Sequence, residues 1–467
     1  MKPELWKKLR RILPLSLLCF ALVFGSGLSV LAEEAPAPAP ALSPISPWSV
    51  PTLHEGEKYG IFPLEWYYDG FFQSPISSDK FASLINDTID KLDAIGLTKK
   101  ATKLALPAAA DKITRDTVAQ TLYAILAQYE LPEAFGIGSL ESIEYLRNKG
   151  IIFGTKQGLE LDKPATVEQA VVLASRLVQF AYDTADAGAK GLMWKVTHEG
   201  NTLYLLGSIH VGIPEMYPMH KDVRDAMQGA DALYVEANLQ SGDQEAMAYF
   251  NQTMVYTEGT TVKDHISKET YERVQKASEK LGLPAQAFDA YKPWVITNNL
   301  SLLTLVESPQ ELGQASALGV DMYYIGRSMF AGMPIEELEG VKFQADLLSG
   351  VPLEDQVKEL NEVLDAVLAN ADNSKEAKEF EELQLLWAKG DLEGFSKSFE
   401  ETGETESESS QRLFGERDKN MAKKLVELLE ADGKATYFVV VGAGHLVIED
   451  MVIDQLKDKG YKVEFVK

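Results

Sequence analysis

The stretch LYLLGSIHVG at 203–212 is an apolar run that stops at Gly207 and reaches His210 three residues later. Far downstream, VVVGAGHLVI at 439–448 repeats the design with Gly442 and His445. A buried strand needs no histidine at its mouth. The glycine lets the backbone turn sharply where the strand ends and keeps space clear above it. A third apolar stretch, DALYVEANL, carries Glu236 at the end of its strand, where an unpaired carboxylate would be costly. Neutral imidazole and carboxylate together form a normal ligand set for a divalent hydrolytic metal. Alternatively, Glu236 is a general base whose pKa the site tunes.

These side chains meet only if the strands run the same way, because loops leaving parallel strands gather on one sheet edge. The pattern over 192–206 predicts a hairpin, with strands at 192–198 and 202–206 around a Glu199-Gly200-Asn201 turn. A helix at 220–230 and a strand at 231–239 extend it to a β-α-β unit with parallel strands. The chain closes with a strand at 436–441, a helix at 446–460 and a strand at 461–466, a second β-α-β. Between them, 243–432 has helical periodicity, and the acidic run ETGETESESS at 401–410 reads as a loop. The expected fold is α/β: a central, mostly parallel sheet with a helical insert over 186–467, after a small, mainly helical domain over 53–185.

The N-terminus has a different texture. Lys2, Lys7, Lys8, Arg10 and Arg11 precede an apolar stretch from Ile12 to Leu31, and Val30-Leu31-Ala32 offers small residues at a cleavage site. Residues 1–32 therefore read as a secretory signal, the alternative being a retained anchor. The only cysteine, Cys19, lies inside it, so the exported protein would have no disulfide. Alternating Ala and Pro make 33–52 a semi-rigid linker. Thr114 and Thr166 each precede an amphipathic helix, Thr166 forming a capping box with Gln169.

The chain of 467 residues carries a formal charge of −25, and loss of the basic signal would make it more negative. Such a surface repels nucleic acid and anionic lipid, so no nucleic-acid partner is expected. No His-Glu-x-x-His stretch occurs, so this is not a helix-borne zinc protease, and the lack of a Gly-x-Ser-x-Gly elbow argues against a serine hydrolase. His54, His198 and His265 have no paired context; His220 is near enough to His210 in sequence to be a supporting candidate. The sequence leaves the oligomeric state open.

Two resemblances follow. The helical region, with Ile113-Thr114-Arg115-Asp116 at one helix start and Thr166-Val167-Glu168-Gln169 at another, resembles S-layer homology repeats; that resemblance implies a cell-wall polysaccharide partner. From about residue 190 onward, WKVTHEGNTLYLLGSIHVG, ADALYVEANL and VVVGAGHLVIEDMVIDQLKDKGYKV resemble the TraB/GumN family, which includes the Tiki metalloproteases. YKPWVITNNL, LGVDMYYIGRSMFAGMPIEELEG with Gln344 beyond, and GERDKNMAKKL support it. The resemblance implies a fold related to erythromycin-esterase-like and haem-binding ChaN-like proteins. It implies a manganese- or cobalt-dependent peptidase, zinc also fitting, with His210, Glu236 and His445 on the metal. Arg417 and Asn420 would act beside them and Asp321 would be a further polar candidate, whereas an ordinary Arg417 would pair with Glu416 or Asp418 on a solvated helix. Hydrolysis of a peptide or protein outside the cell or at its envelope is the leading expectation. A metal-dependent esterase, or a binder that sequesters a peptide pheromone or haem, is the alternative.

Overall fold

The hairpin forms as β1 (Leu192–His198) and β2 (Asn201–Ser208), paired antiparallel from His198↔Asn201 to Leu192↔Gly207. Its turn residues Glu199 and Gly200 have φ of 48° and 106°, the left-handed backbone that two-residue hairpins favour. The computed structural model describes residues 44–101, 112–257, 259–306, 308–369, 374–402 and 414–467. The expected signal at 1–32, the first part of the linker and most of the acidic run lie outside them.

Four further strands complete one sheet: β3 (Ala232–Val235), β4 (Ile335–Glu337), β5 (Thr436–Gly442) and β6 (Val463–Phe465), in the order β4-β3-β5-β2-β1-β6. β5 runs parallel to both β2 and β3, and β3 parallel to β4, while β1 is antiparallel to its neighbours β2 and β6. The sheet is thus mostly parallel. Two neighbourhoods differ from the simple β-α-β expectation. β5 separates β2 from β3, and β6 pairs with β1 rather than lying beside β5. The reason is burial: Phe438, Val439, Val440 and Val441 are at most 2% exposed, and so continuous an apolar run belongs in the middle of a sheet covered on both faces.

The helix expected at 446–460 is two helices, Gly444–Val447 and Val452–Asp458. Between them Asp450 takes φ 66°, and its N–H donates to the Asp454 carboxylate at 3.1 Å. A local side-chain acceptor here competes with helix continuation. Among the described residues, the insert between β3 and β5 has helices from Gln244–Met254 to Leu392–Thr402, with β4 between them.

Two compact units divide the chain. One is Lys190–Ile213 with Asp225–Lys467, holding the sheet and insert. The other is N-terminal, described over 44–101 and 112–189, and also takes in Pro214–Arg224. In this unit Thr114 caps the Arg115–Ala127 helix and Thr166 forms the capping box of Val167–Thr184. Part of the expected linker is folded: a helix starts at Val50, and the Ser46 N–H and hydroxyl donate to the buried Glu168 carboxylate at 3.0 and 2.8 Å. Pro214–Arg224 is built in by Lys91 Nζ donating to Pro214 O at 2.6 Å, His220 N to Ala189 O at 2.7 Å, and an Arg224–Asp183 ion pair.

At the hairpin base, Asn201 does more than turn the chain. It is 1% exposed; its Nδ2 donates to Leu429 O and Ala431 O, and its Oδ1 accepts from Ala435 N. One side chain thus ties β2 to the end of the Glu416–Glu430 helix and the approach to β5. Asn201→Ala should lower stability by about 3 kcal/mol, since it leaves buried backbone groups unpaired; urea unfolding checks this.

Candidate active site

Glu236 follows directly on β3, and its carbonyl accepts from Glu339 N and Gly340 N, both at 2.9 Å. The ends of β3 and β4 are therefore locked together. The Glu236 carboxylate then reaches across to β5, where Oε1 accepts from Gly442 N at 2.6 Å. Oε2 accepts from Arg417 Nη2 at 3.0 Å and Gln344 Nε2 at 3.4 Å. The same guanidinium holds Glu339, through Nε at 2.8 Å and Nη2 at 2.7 Å, and Gln344 also donates to Glu339. Arg417 is 3% exposed. It bridges two buried carboxylates and does not pair with Glu416 or Asp418 on a solvated face.

His445 sits in the single helical turn that follows β5. Its Nδ1 lies 2.9 Å from Asp418 Oδ1, and neither residue is exposed. An ionised aspartate only accepts, so the Nδ1 proton points to Asp418 and Nε2 is the nitrogen left for chemistry. That Nε2 is buried, has no hydrogen-bond partner among the described residues, and lies 3.8 Å from Glu236 Oε1, beyond hydrogen-bond reach. His210 is fixed in the same manner, Nδ1 to Asp321 Oδ1 at 2.7 Å.

Two glycines make this second pairing possible. A Cβ on Gly319 would lie 2.5 Å from His210 O, and one on Gly212 2.0 Å from Leu318 O. Without side chains there, the two backbones interlock: Val320 N donates to Ile209 O at 3.0 Å and Gly212 N to Ala315 O at 2.8 Å. The Val320–Ala331 helix thereby delivers Asp321 to His210. At the first motif, a Cβ on Gly207 would come 2.9 Å from Ala443 Cα, so the glycine admits the turn that carries His445.

Burial alone would raise the Glu236 pKa; the charges of His445, Arg417 and His210 and the Gly442 N–H outweigh it and hold the group below its ordinary 4.5. Burial alone would lower that of His210; the Asp321 charge and hydrogen bond, with Glu236, outweigh burial and an opposing Arg417, raising it above 6.5. With both imidazoles neutral, Asp321, Asp418, Glu236 and Glu339 bring four formal negative charges and Arg417 one positive, in side chains at most 14% exposed.

A divalent cation fits the chemistry of the two imidazoles. Aspartate at Nδ1 and a presented Nε2 is the usual arrangement of a metal-bound histidine, and His445 Nε2 is a buried atom with no hydrogen bond. A cation would also offset the excess negative charge. Among the described residues, however, no three or more His, Cys, Asp or Glu side chains form a group that could hold a metal ion. Glu236 already accepts three hydrogen bonds.

The structure therefore brings Glu236, Arg417 and His445 together, with His210 acting on Glu236 through its charge, and gives Asp321 a defined partner. Asn420 does not join them; it is exposed on the Glu416–Glu430 helix, whose inward positions are Arg417, Asp418 and Met421. His220 belongs to the N-terminal unit, where Nε2 lies 3.3 Å from Asp186. The sequence reading missed Asp418 and Glu339. Asp418 looked like a mere neighbour of Arg417. Glu339 stands one carboxylate among several in EELEG, and only strand pairing singles it out.

A sheet whose strand ends carry two aspartate-bound histidines and an arginine-held glutamate defines a class of α/β proteins with a polar, buried centre. Residues 192–465 match the TraB/PrgY/gumN family, and the chain belongs to that family. It is 27% identical over 158 residues to the uncharacterized protein YbaP of Escherichia coli (strain K12), which is 34% of this chain and 56% of that protein. The same protein of Shigella flexneri matches to the same extent. The chain thus spans little more than half the length of these relatives. No solved structure matches.

Gly319→Ala should push the His210 loop and Asp321 apart, costing about 2 kcal/mol by thermal or urea unfolding. Arg417→Met should cost about 3–5 kcal/mol, because it strands two buried carboxylates. The stabilisation that ionised Glu236 adds is present above its ordinary carboxylate range and is lost as pH falls through its lowered native value. Urea midpoints measured down to about pH 3 should therefore fall more for wild type than for Glu236→Gln.

Proposed function

We propose that this chain is a divalent-metal-dependent hydrolase whose preferred target is a peptide bond, in the manner of the Tiki-type resemblance. The observation that carries this reading is the buried excess of negative charge around two aspartate-fixed imidazoles, with His445 Nε2 left facing Glu236. His210 and His445 would hold the cation through their imidazoles, manganese or cobalt being the expected ions and Glu236 the neighbouring carboxylate. When bound, such a cation lowers the pKa of a water and polarises a carbonyl.

The chain's own residues have separate tasks. Glu236 stays ionised at neutral pH and presents Oε1 toward His445 as a proton acceptor. Arg417 binds Glu236 and Glu339 and so positions Glu236. Asp321 and Asp418 fix ring orientation and tautomer. The basic and apolar character of residues 1–32 supports an exported setting for this activity.

The test is metal analysis of purified wild type, with peptide and ester assays, beside His210→Ala and His445→Ala. Both variants should lose the manganese or cobalt that wild type retains, and turnover should drop about 100-fold or more. Asn420→Ala should behave as wild type. Histidine variants that keep both the ion and turnover would overturn the reading; ester turnover alone would reassign the substrate, and a Soret band would point to haem sequestration.

A further inference from the structure

The loop carrying His210 is gripped from a side that the site chemistry does not account for. In the insert, the Ser374–Lys389 helix places Gln384 and Trp387 three residues apart, hence on one face. They are 2% and 0% exposed. Trp387 Nε1 donates to Gly207 O at 2.7 Å, and Gln384 Nε2 donates to Val211 O at 2.7 Å. The two accepted carbonyls bracket Ser208, Ile209 and His210.

The position of Gly207 explains the need. Leu192↔Gly207 is the last rung of the β1–β2 ladder, so β1 supplies no pairing beyond it. The indole N–H adds a bond to the Gly207 carbonyl at that last rung. Gly191, at φ 60°, passes so near that a Cβ would come 3.0 Å from the Trp387 ring. If only volume were required at these positions, apolar side chains would fill it. Instead each residue spends its one polar donor group on the backbone of the Gly-x-x-His segment, in the interior, where an unmet carbonyl is costly. The loop is also held by Val320 N on Ile209 O and by Gly212 N on Ala315 O.

We propose that Gln384 and Trp387 are positioning residues, a two-point clamp that sets the His210 imidazole in register with Glu236 and His445. The functional part of this inference rests on the hydrolase reading; the structural part does not. His445 hangs from β5 and Asp418, and its turn meets the clamped segment through Ala443 N on Ser208 O at 2.9 Å, so its signals set the scale of an indirect effect.

Trp387→Phe keeps an aromatic ring and removes the donor; Gln384→Met keeps length and removes the carboxamide. Imidazole ¹H–¹⁵N spectra of the full-length protein, assigned with His210→Ala and His445→Ala, read both rings directly. The His210 signals should shift or broaden in each clamp variant, and by more than those of His445. Affinity for added Co²⁺ should fall about tenfold. Unmoved His210 signals in a folded variant would overturn the clamp. If they move but neither wild type nor variant cleaves peptide or ester, the clamp stands and the hydrolase reading falls. Should Trp387→Phe not fold, Gln384→Met carries the same readout alone.

Discussion

One arginine sets the terms for everything around it. Arg417 is buried and binds Glu236 and Glu339 at once, from the first turn of the helix that precedes β5. Two like charges that close, away from water, would repel unless a cation lay between them. The guanidinium supplies it in a planar, permanently charged form that reaches both carboxylates. Because Glu339 also donates its backbone N–H to Glu236 O, the electrostatic clamp and the β3–β4 strand ends fix the same point. Gly442 N on Oε1 then ties that point to the central strand.

The histidines show how a sheet edge can be given chemistry with little sequence. Each motif needs a strand end, a glycine and one imidazole, and each borrows its aspartate from elsewhere. Asp321 comes from a helix of the insert, Asp418 from the helix before β5. The insert therefore contributes directly to the geometry of the strand ends, through Asp321 and through Gln344 on Glu236.

Much of this was legible in the chain. Strand-end glycines before His210 and His445 were visible as breaks in apolar runs, the hairpin as two strands around Glu199-Gly200-Asn201, and the caps as Thr114 and Thr166. What was hidden depends on pairs distant in sequence. Strand order was one such feature, since β5 reaches the centre only by its uniform burial. Asp418 and Glu339 were others, because nothing in their local sequence separates an ion-pair network from a solvated charge. Asn420 came with the family resemblance, and helical periodicity turns it outward on the Glu416–Glu430 helix.

Pro214–Arg224 bears on where this protein can be cut. Family similarity begins at residue 192, which invites treating everything upstream as a detachable appendage. Yet the stretch just after the first histidine motif belongs to the N-terminal unit, and its hydrogen-bonding residues Lys91, Asp183 and Ala189 all lie before that boundary. A fragment excised at the homology border would carry an orphaned peptide only a few residues from His210. For this chain, the region shared by descent and the compact units of the fold are bounded at different residues.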